Sequence, residues 1–515
     1  MIHISPKHRL IGVPVNPQLA TIFASAKRVT LEGNEFLLVK HGVDETKLLR
    51  NVGFDVPAPV TVNYDWEGGT PFDIQKKTAA LLTMNQRAYV LNGMGTGKTK
   101  AALWSWRYLN RIGAAGKLLV VAPLSTLNFT WAKEIFQTLP GTKVQVLHGT
   151  KEKRISRLSD LNADIYIVNH DGLAVVADAL AQRLDIDTCI LDELAVYRNG
   201  MSTRSKVVRI VTKRMRWLWG MTGSPTPNAP TDAWGQCSIV TPNTVPKYFN
   251  RFRDEVMNRI TQFKYTPKEN ALERVYAVMQ PAVRFTLDDV MELPELVERT
   301  IDIDMGAKQT KVYKQMEEHA HAMVASNEIT AMNAGAVLMK LLQISTGYVY
   351  SKDRDVVELD NDDRMTALVD MVDASDRKVI VFVPFIHALD AIAKRLTHEG
   401  YDVRMVSGST PRSTRDETFQ LFQNTNAVKV LVAHPQCMAH GITLTAADTI
   451  IWFAPIPNLE IFEQANARIR RVGQKHKQQV LMFQATKVEK KMYAKLRAKQ
   501  KVQNALLEMF EDGSE

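Results

Sequence analysis

The fold class of this 515-residue chain is best predicted from one stretch, Ala88-Tyr89-Val90-Leu91-Asn92-Gly93-Met94-Gly95-Thr96-Gly97-Lys98-Thr99. Its apolar first half predicts a buried strand, and a helical pattern follows the glycine-rich turn from Lys100 to Asn110. Glycines let backbone amides approach phosphate oxygens, and the helix start presents unpaired N–H groups. The Lys98 ammonium neutralises outer phosphates, and the Thr99 hydroxyl is a magnesium ligand. The stretch therefore predicts an α/β domain that binds ATP and Mg²⁺ at residues 93–99.

One residue departs from the strict loop pattern, which places glycine where this chain has Asn92. Taken alone, the stretch is also compatible with a glycine-rich turn that binds nothing. A second element favours the nucleotide site: Cys189-Ile190-Leu191-Asp192-Glu193 is an apolar strand that ends in adjacent carboxylates. In such a site Asp192 holds magnesium, directly or through water, and Glu193 orients and deprotonates the attacking water. Without Lys98, the acidic pair is typical of a helix start.

A third element is the arginine-rich segment Gln464-Ala465-Asn466-Ala467-Arg468-Ile469-Arg470-Arg471-Val472-Gly473-Gln474. Arg468 and Arg471 lie three residues apart, which predicts that they share one helix face. Guanidinium groups brought to the nucleotide from a second domain stabilise charge on a transferred phosphoryl group. A solvated basic helix is the alternative for this segment.

The composition is typical of a soluble enzyme, with 45% hydrophobic and 23% charged residues. The net charge of +10 favours a polyanionic partner, and twelve Lys or Arg against the single acid Glu489 lie between Arg468 and Lys501. A solvated helix face is the alternative there. The chain has no apolar run of about 18 residues and no secretory signal pattern, so we expect an intracellular protein without a membrane partner. Its three dispersed cysteines suggest neither a disulfide framework nor a metal site.

Short apolar runs alternate with helical patterns in two blocks, which predicts parallel sheets with crossover helices. The predicted strands are Ala88–Asn92, Leu118–Ala122, Val144–Leu147, Ile165–Asn169, Thr188–Leu191 and Trp217–Met221 in the first block, and Val379–Val383, Val403–Val406, Val428–Ala433, Thr449–Phe453 and Gln479–Phe483 in the second.

Between and before these blocks the pattern changes. Helical spacing at Gln309–Asn327 and Ile329–Ile344 predicts a helical insertion, and the N-terminal region has a predicted strand, Phe36–Lys40, and a short helix, Asp44–Asn51. We predict four regions: an accessory region at 1–65, a first ATP-binding domain at 66–240, a helical insertion and linker at 241–345, and a second domain at 346–515.

These ordered elements resemble the superfamily 2 helicases and, within them, the Swi/Snf-type double-stranded DNA translocases. The resemblance covers about Pro71 to Phe483. The motifs that carry it are Phe72-x-x-Gln75, Ala122-Pro123-Leu124-Ser125-Thr126-Leu127 with Trp131 and Glu134, Met221-Thr222-Gly223-Ser224-Pro225-Thr226-Pro227-Asn228, Lys378 to Leu389, Val406-Ser407-Gly408-Ser409-Thr410 with Arg415 and Phe422, Gly441-Ile442-Thr443-Leu444-Thr445-Ala446-Ala447-Asp448, and Gln464 to Gln474.

The resemblance implies two RecA-like domains, with ATP in the cleft between them and DNA across both. It implies that Phe72, Gln75 and Gln464 contribute to the ATP site. The residues that it assigns to DNA contact and coupling are Ser125, Thr222, Ser224, Gly408, Arg415, Gly441 and Thr443.

Departures limit what the resemblance implies. The family's D-E-A-H is Asp192-Glu193-Leu194-Ala195 here, so the histidine that links ATP state to DNA contact is replaced by Ala195. The usual acid before the first motif arginine is Ala467, and the family's H-R is Arg470-Arg471. His434 and His440 replace part of a serine-led loop, and two histidines without other ligands favour loop structure or DNA contact over a metal site.

The expected function is ATP hydrolysis coupled to translocation on duplex DNA, with remodelling, branch migration or rewinding of forks. With a compact middle insertion and no appended chromatin-reading module, the chain resembles small members of the family, such as fork-remodelling or annealing enzymes and virus-encoded helicases. This resemblance favours roles in DNA repair, recombination or replication. A strand-separating helicase on single-stranded DNA or RNA is one alternative. A nucleotide-gated clamp without turnover is another, favoured by Ala195 and disfavoured by Glu193, Arg468 and Arg471. An unrelated doubly wound nucleotide enzyme would explain the loop but leave the second block unexplained.

Overall fold

The computed structural model describes residues 2–31, 33–227, 229–262, 264–290, 294–325, 331–350, 356–438, 442–471 and 473–498. The chain forms two compact units, and the first ends at Val290. This division falls inside the segment 241–345 that we predicted as an insertion and linker. The predicted boundaries of the four regions stay predictions.

The strands and helices are numbered in chain order. The strands are β1 His3–Ser5, β2 Leu10–Pro14, β3 Lys27–Leu31, β4 Asn34–Lys40, β5 Arg87–Val90, β6 Lys117–Ala122, β7 Val144–Leu147, β8 Ile165–Asn169, β9 Ile186–Asp192, β10 Trp217–Met221, β11 Met257–Arg259, β12 Tyr265–Pro267, β13 Ala282–Val283, β14 Leu296–Asp302, β15 Tyr348–Tyr350, β16 Val356–Glu358, β17 Lys378–Phe382, β18 Val403–Val406, β19 Val430–Ala433, β20 Ala447–Trp452 and β21 Gln478–Gln484. The helices are α1 Pro17–Ile22, α2 Val43–Asn51, α3 Pro59–Asn63, α4 Asp73–Met84, α5 Lys98–Arg111, α6 Lys133–Thr138, α7 Lys151–Leu158, α8 Leu173–Ala181, α9 Thr203–Thr212, α10 Asp232–Val240, α11 Phe249–Val256, α12 Ala271–Val278, α13 Ala307–Ala325, α14 Ala331–Ser345, α15 Asp362–Asp373, α16 Ile386–His398, α17 Arg412–Asn424, α18 Leu459–Asn466 and α19, residues 487–498.

The N-terminal region is an antiparallel sheet in the order β1-β2-β4-β3, with α1 and α2 beside it. Alternating residues of β2 and β4, such as Ile11, Val13, Leu37 and Val39, are buried and pack with Leu49 of α2. The predicted strand and helix of this region are confirmed as β4 and α2. Its other three strands were not predicted.

The first unit is built on a parallel sheet in the order β13-β5-β10-β9-β6-β8-β7. The central residues of its inner strands are buried and mostly apolar, as expected for a parallel sheet covered on both faces. All six strands predicted for the first block are confirmed. The edge strand β13 adds to β5 through Ala282 and Val283, and two residues gave no periodic signal.

The second unit is built on another parallel sheet, in the order β14-β21-β20-β17-β19-β18. The five predicted strands and the two predicted helices, α13 and α14, are confirmed. The predicted α/β class with two parallel sheets is therefore correct. Among the helices that the structure describes, none is long and apolar enough to cross a membrane.

Candidate active site

Three loops of the first unit begin side by side at the carboxyl edge of its sheet. Met221, the last residue of β10, pairs with Val90 at the end of β5 on one side and with Asp192 at the end of β9 on the other. Because neighbouring strands lie about 4.8 Å apart, the chain brings these three ends within roughly 10 Å. The phosphate loop, the acidic pair and the Thr222–Ser224 segment therefore meet at one edge.

The phosphate loop depends on glycine at Gly97, which has a left-handed φ of 75° and stands immediately before α5. A Cβ there would lie 2.1 Å from Nε2 of Gln75, which donates to the Gly97 carbonyl at 3.4 Å. Gln75 also accepts the Phe72 amide at 2.9 Å through Oε1. The predicted pair Phe72 and Gln75 thus holds the start of α4 against the loop, and α5 begins at Lys98 with its first amides directed toward the loop.

The Lys98 ammonium lies over the start of the loop. Its Nζ donates to the carbonyls of Asn92 at 2.8 Å and Gly93 at 3.0 Å, while the Thr96 hydroxyl donates to Gly93 at 2.9 Å. A phosphate is a charged acceptor and forms a stronger hydrogen bond with an ammonium than a carbonyl does. Thr99 follows in the first turn of α5, where its hydroxyl is available to the same loop.

The hydrogen bonds of the Asn92 side chain explain why the loop has asparagine where the strict pattern has glycine. The side chain is buried, its Nδ2 donates to the Thr78 hydroxyl on α4 at 3.0 Å, and its Oδ1 accepts the Phe285 amide at 3.0 Å. Glycine at this position would leave the buried Phe285 amide without that acceptor. The asparagine therefore joins the phosphate loop to α4 and to the segment after β13.

The acidic pair stands where β9 ends. Oδ2 of Asp192 accepts from the buried Trp131 indole at 2.8 Å, and Oδ1 accepts the Glu193 amide at 3.1 Å. Burial raises the pKa of Asp192, whereas the Trp131 hydrogen bond and the positive charge of Lys98 act in the opposite direction. Glu193 has a left-handed φ of 55°, which is costly for a residue with a side chain and is typical of functional sites.

The remaining predicted residues of the first unit differ in exposure. Thr222 is buried and its amide donates to Val90 at 3.1 Å, and its hydroxyl accepts the amide of the buried Ser224 at 3.2 Å. Ser125 lies exposed in the 3₁₀ turn Leu124–Thr126. Ala195, which replaces the family's histidine, is fully buried. Ser125 is thus the one of these residues with surface available to a macromolecule.

In the second unit, Arg468 and Arg471 do not share a helix face, and that expectation was wrong. α18 ends at Asn466, because Nε of Arg468 takes the Gln464 carbonyl at 2.8 Å while its own amide bonds Ala465 at 3.2 Å. The two arginines nevertheless converge on one loop. Nη1 of Arg468 donates to the Ile442 carbonyl at 3.1 Å, and Nη1 of Arg471 donates to the Thr443 hydroxyl at 3.2 Å.

The two arginines differ in how deeply they are buried. Arg468 is 2% exposed, whereas Arg471 is half-buried and desolvation lowers its pKa to about 10. A guanidinium with this pKa is still protonated at neutral pH, so Arg471 carries positive charge. The predicted ATP ligand Gln464 is buried on α18 and donates to Glu460 at 3.2 Å.

Three predicted DNA-contact positions follow the strands of the second sheet. Gly408 is exposed after β18, and Arg415 on α17 donates to the carbonyls of Ser407 at 3.4 Å and Thr410 at 3.2 Å. Thr443 is exposed beside Arg471. Gly441 lies outside the described residues.

One residue near the phosphate loop was missed by sequence reasoning. Arg284 is buried after β13, and a Cβ at Gly93 would lie 3.3 Å from its Nη1. The Gly93 amide donates to Phe285 at 2.7 Å, so this segment lines the loop. Its position depends on the two-residue strand β13, which no periodic pattern indicated.

Known proteins match the same regions. A family model for the SNF2-related domain matches residues 79–348, more than half of the chain, and one for the helicase conserved C-terminal domain matches residues 363–473. The chain belongs to the SNF2 family. The SNF2 family consists of ATP-dependent helicase-type motors of superfamily 2, so the predicted membership is confirmed.

Relatives of this SNF2 chain include small and large proteins. A putative protein of Acyrthosiphon pisum secondary endosymbiont phage 1 is 28% identical over 75% of this chain and 85% of its own length. An uncharacterized ATP-dependent helicase of Mycoplasma genitalium is 24% identical over 75% of this chain and 37% of its own, so the chain spans little more than a third of that relative. A SWI2/SNF2 ATPase core of Sulfolobus solfataricus, solved with double-stranded DNA, is 20% identical with a TM-score of 0.41 over 87% of this chain and 96% of its own. The family assignment does not depend on that last likeness.

Proposed function

We propose that this SNF2-family chain hydrolyses ATP and couples hydrolysis to translocation on duplex DNA, with remodelling of forks or branched DNA as the outcome. The observation that carries the proposal is the shared register of β5, β10 and β9, which places the Lys98 loop, the Thr222–Ser224 segment and the Asp192–Glu193 pair at one edge. Their chemistry is that of nucleoside triphosphate hydrolysis.

The donor set fits ATP with magnesium. Desolvation raises the pKa of the partly exposed Asp192 carboxylate against the Trp131 hydrogen bond and the charge of Lys98. A divalent cation would stabilise its ionised form, and Thr99 offers a second oxygen. Magnesium, when bound, neutralises charge on the phosphates. The amides of residues 93–99 bind the phosphate oxygens, and Lys98 exchanges loop carbonyls for the outer phosphates.

Glu193 is proposed to orient the attacking water and take its proton. Its left-handed backbone, immediately after the end of β9, distinguishes it from Asp192. Arg468 and Arg471 are proposed to stabilise the charge that develops on the transferred phosphoryl group. The burial of Arg468 and its carbonyl partners assign it the more structural share of that role.

Support for a DNA partner comes from charge and exposure. The net charge of +10 favours a polyanion, and Ser125, Gly408 and Thr443 are exposed at loops that begin at the carboxyl ends of strands. The test is the ATPase rate of the full chain with duplex, single-stranded, forked and four-way DNA and with RNA. We expect the largest stimulation by duplex or branched DNA. Stimulation by single strands alone would instead identify a strand-separating helicase.

The second candidate is a nucleotide-gated clamp, which the buried Ala195 favours because the expected coupling side chain is missing. A clamp would bind DNA differently with ATP and with ADP yet release no phosphate. Steady phosphate release that DNA accelerates rules out the clamp.

A further inference from the structure

Helix α19 begins at a capping box that the sequence spells as Thr486-Lys487-Val488-Glu489. The Thr486 hydroxyl accepts the Glu489 amide at 3.2 Å, and Oε2 of Glu489 accepts the amides of Ala485 at 2.7 Å and Thr486 at 3.1 Å. Oε1 of Glu489 accepts Nη2 of Arg364 on α15 at 2.8 Å. Both partners of this ion pair are buried, with side chains 2% and 0% exposed.

Glu489, the single acid of the basic C-terminal run, is therefore buried and paired with groups of the protein itself. The same side of α19 carries Met492, Tyr493 and Leu496, which are buried in the core of the second unit. The helix is thus fixed by an apolar face and by its first turn. Its outward face is left without an acid of its own.

That outward face carries a stripe, Lys487, Lys491 and Lys495, at intervals of four residues. All three are exposed, and successive members lie about 6 Å apart along the helix axis. Arg497 and Lys490 flank the stripe, and Lys490 pairs with Asp302 of β14 at 2.5 Å. Like charges four residues apart destabilise a helix, and cations near its N-terminus oppose the helix dipole. A polyanion relieves both costs.

The chemistry of the face selects the kind of polyanion. Its other exposed residues are Ala494 and Ala498, so it lacks the aromatic and large apolar anchors that protein interfaces require. A row of lysines without hydrogen-bonding side chains between them can contact the regularly spaced phosphates of a nucleic acid. Such a row does not recognise the base sequence.

We propose that the lysine stripe of α19 is a second DNA-binding surface that grips the phosphate backbone of a duplex outside the helicase motifs. The inference rests on the proposed function and names a further contact with its DNA partner. It assigns a role to the basic run that the ATPase motifs leave unused.

The test is duplex binding by the full chain in the absence of nucleotide, measured by fluorescence anisotropy over a range of salt concentrations. Each phosphate contact contributes about 0.9 to the slope of log K against log salt, so K487Q/K491Q/K495Q should reduce the slope by about 2 to 3 and weaken binding by at least about tenfold at low salt. K487R/K491R/K495R keeps the charges and should keep the wild-type slope.

The matched control is K308Q/K311Q/K314Q. These three lysines are exposed on α13 of the same unit, where Glu317 and Glu318 follow on the same helix, and we expect the wild-type slope. Melting curves establish that each variant is folded. An unchanged slope for K487Q/K491Q/K495Q, or an equal loss in the control, overturns the inference. A duplex that binds through the stripe but does not stimulate the ATPase contradicts the proposed function and leaves the stripe in place.

Discussion

The two ends of β9 hold carboxylates in opposite electrostatic states. Asp185, just before the strand, pairs with Arg183 at 2.7 Å and with Lys117 at 3.3 Å, and the Arg183 hydrogen bond lowers its pKa to about 2. Asp192, at the other end, is partly exposed, and desolvation raises its pKa despite the Trp131 hydrogen bond and Lys98. One strand thus joins a carboxylate whose ionised form the protein stabilises to one whose ionised form it disfavours.

This difference separates a structural edge from a functional edge. At the amino edge the charges are satisfied by side chains of the protein, so no ligand is needed there. At the carboxyl edge the pKa of Asp192 is raised despite the Trp131 hydrogen bond, Glu193 has a left-handed φ, and the Lys98 ammonium donates to two loop carbonyls. Perturbed groups of this kind mark sites whose partner comes from outside the chain.

The largest expected effect is at the carboxyl edge. Lys98→Ala removes the ammonium proposed to bind phosphate and Glu193→Gln removes the proposed water-activating base, so we expect either to reduce DNA-stimulated phosphate release by more than about 10³-fold. The matched control is Lys100→Ala on the same helix, whose ammonium pairs with Glu134 at 3.6 Å and should leave turnover within about twofold of wild type. Normal turnover in either site variant would mean that the assigned site is wrong.

The second expected effect tests the arginines. We expect Arg471→Ala to lower kcat by at least about 10²-fold with little change in melting temperature, since its charge is proposed to stabilise the transition state. Arg468→Ala should also destabilise the second unit, by about 1–3 kcal/mol in urea unfolding, because the carbonyls of Gln464 and Ile442 lose a buried donor. If Arg471→Ala only lowers stability, the arginine segment is structural throughout.

A third effect depends on pH. Because its pKa is raised in the folded state, Asp192 stabilises the ligand-free protein at low pH, and this contribution is lost as pH rises through that raised pKa. Magnesium requires the ionised carboxylate, so ATP–Mg at about 100 times its Kd should add about 2.7 kcal/mol at pH 7 and progressively less as pH falls. Thermal shifts with and without Mg²⁺ measure this, with Asp192→Asn as the variant that lacks the magnesium-dependent part. A gain that persists unchanged down to about pH 4, where ordinary aspartates are still half ionised, would place the metal elsewhere.

The smallest effect is expected at the amino edge. Asp185→Asn should cost no more than about 1 kcal/mol at neutral pH, because the ion pair is partly exposed. With a lowered pKa, Asp185 contributes stability above the ordinary aspartate range and loses it as pH falls toward 2, so variant and wild type should converge in acid. A reduced ATPase rate in a folded Asp185→Asn protein would contradict the division between the two edges.

The sequence was informative where one strand or loop carried its own signal. Apolar runs predicted the inner strands of both sheets, and the glycine loop and acidic pair predicted which strand ends would meet. It was uninformative for one edge strand of each parallel sheet: β13 has two residues, and β14 has mostly exposed residues in the sequence Leu-Val-Glu-Arg-Thr-Ile-Asp. The edge strands on the opposite sides, β7 and β18, were predicted, so a short length and a polar sequence, more than edge position, explain the two misses.

The sequence motifs also did not predict which side chains form hydrogen bonds with each other. The bridge from Asn92 to Thr78 and Phe285 joins residues far apart in sequence, and no spacing rule connects them. The end of α18 at Asn466 is set by Arg468, whose side chain takes the carbonyl that the next turn would have used. Helical periodicity alone extended that helix too far.

Asn92 also has a mechanical consequence. The Leu91 amide donates to Val283 at 2.8 Å, the Gly93 amide donates to Phe285 at 2.7 Å, and the Asn92 side chain holds Phe285 between them. Five residues later the first unit ends. The last segment of the first unit, residues 283–285, is thus hydrogen-bonded to the phosphate loop shortly before the unit ends. A displacement of residues 283–285 would therefore be passed directly to the phosphate loop through these three hydrogen bonds.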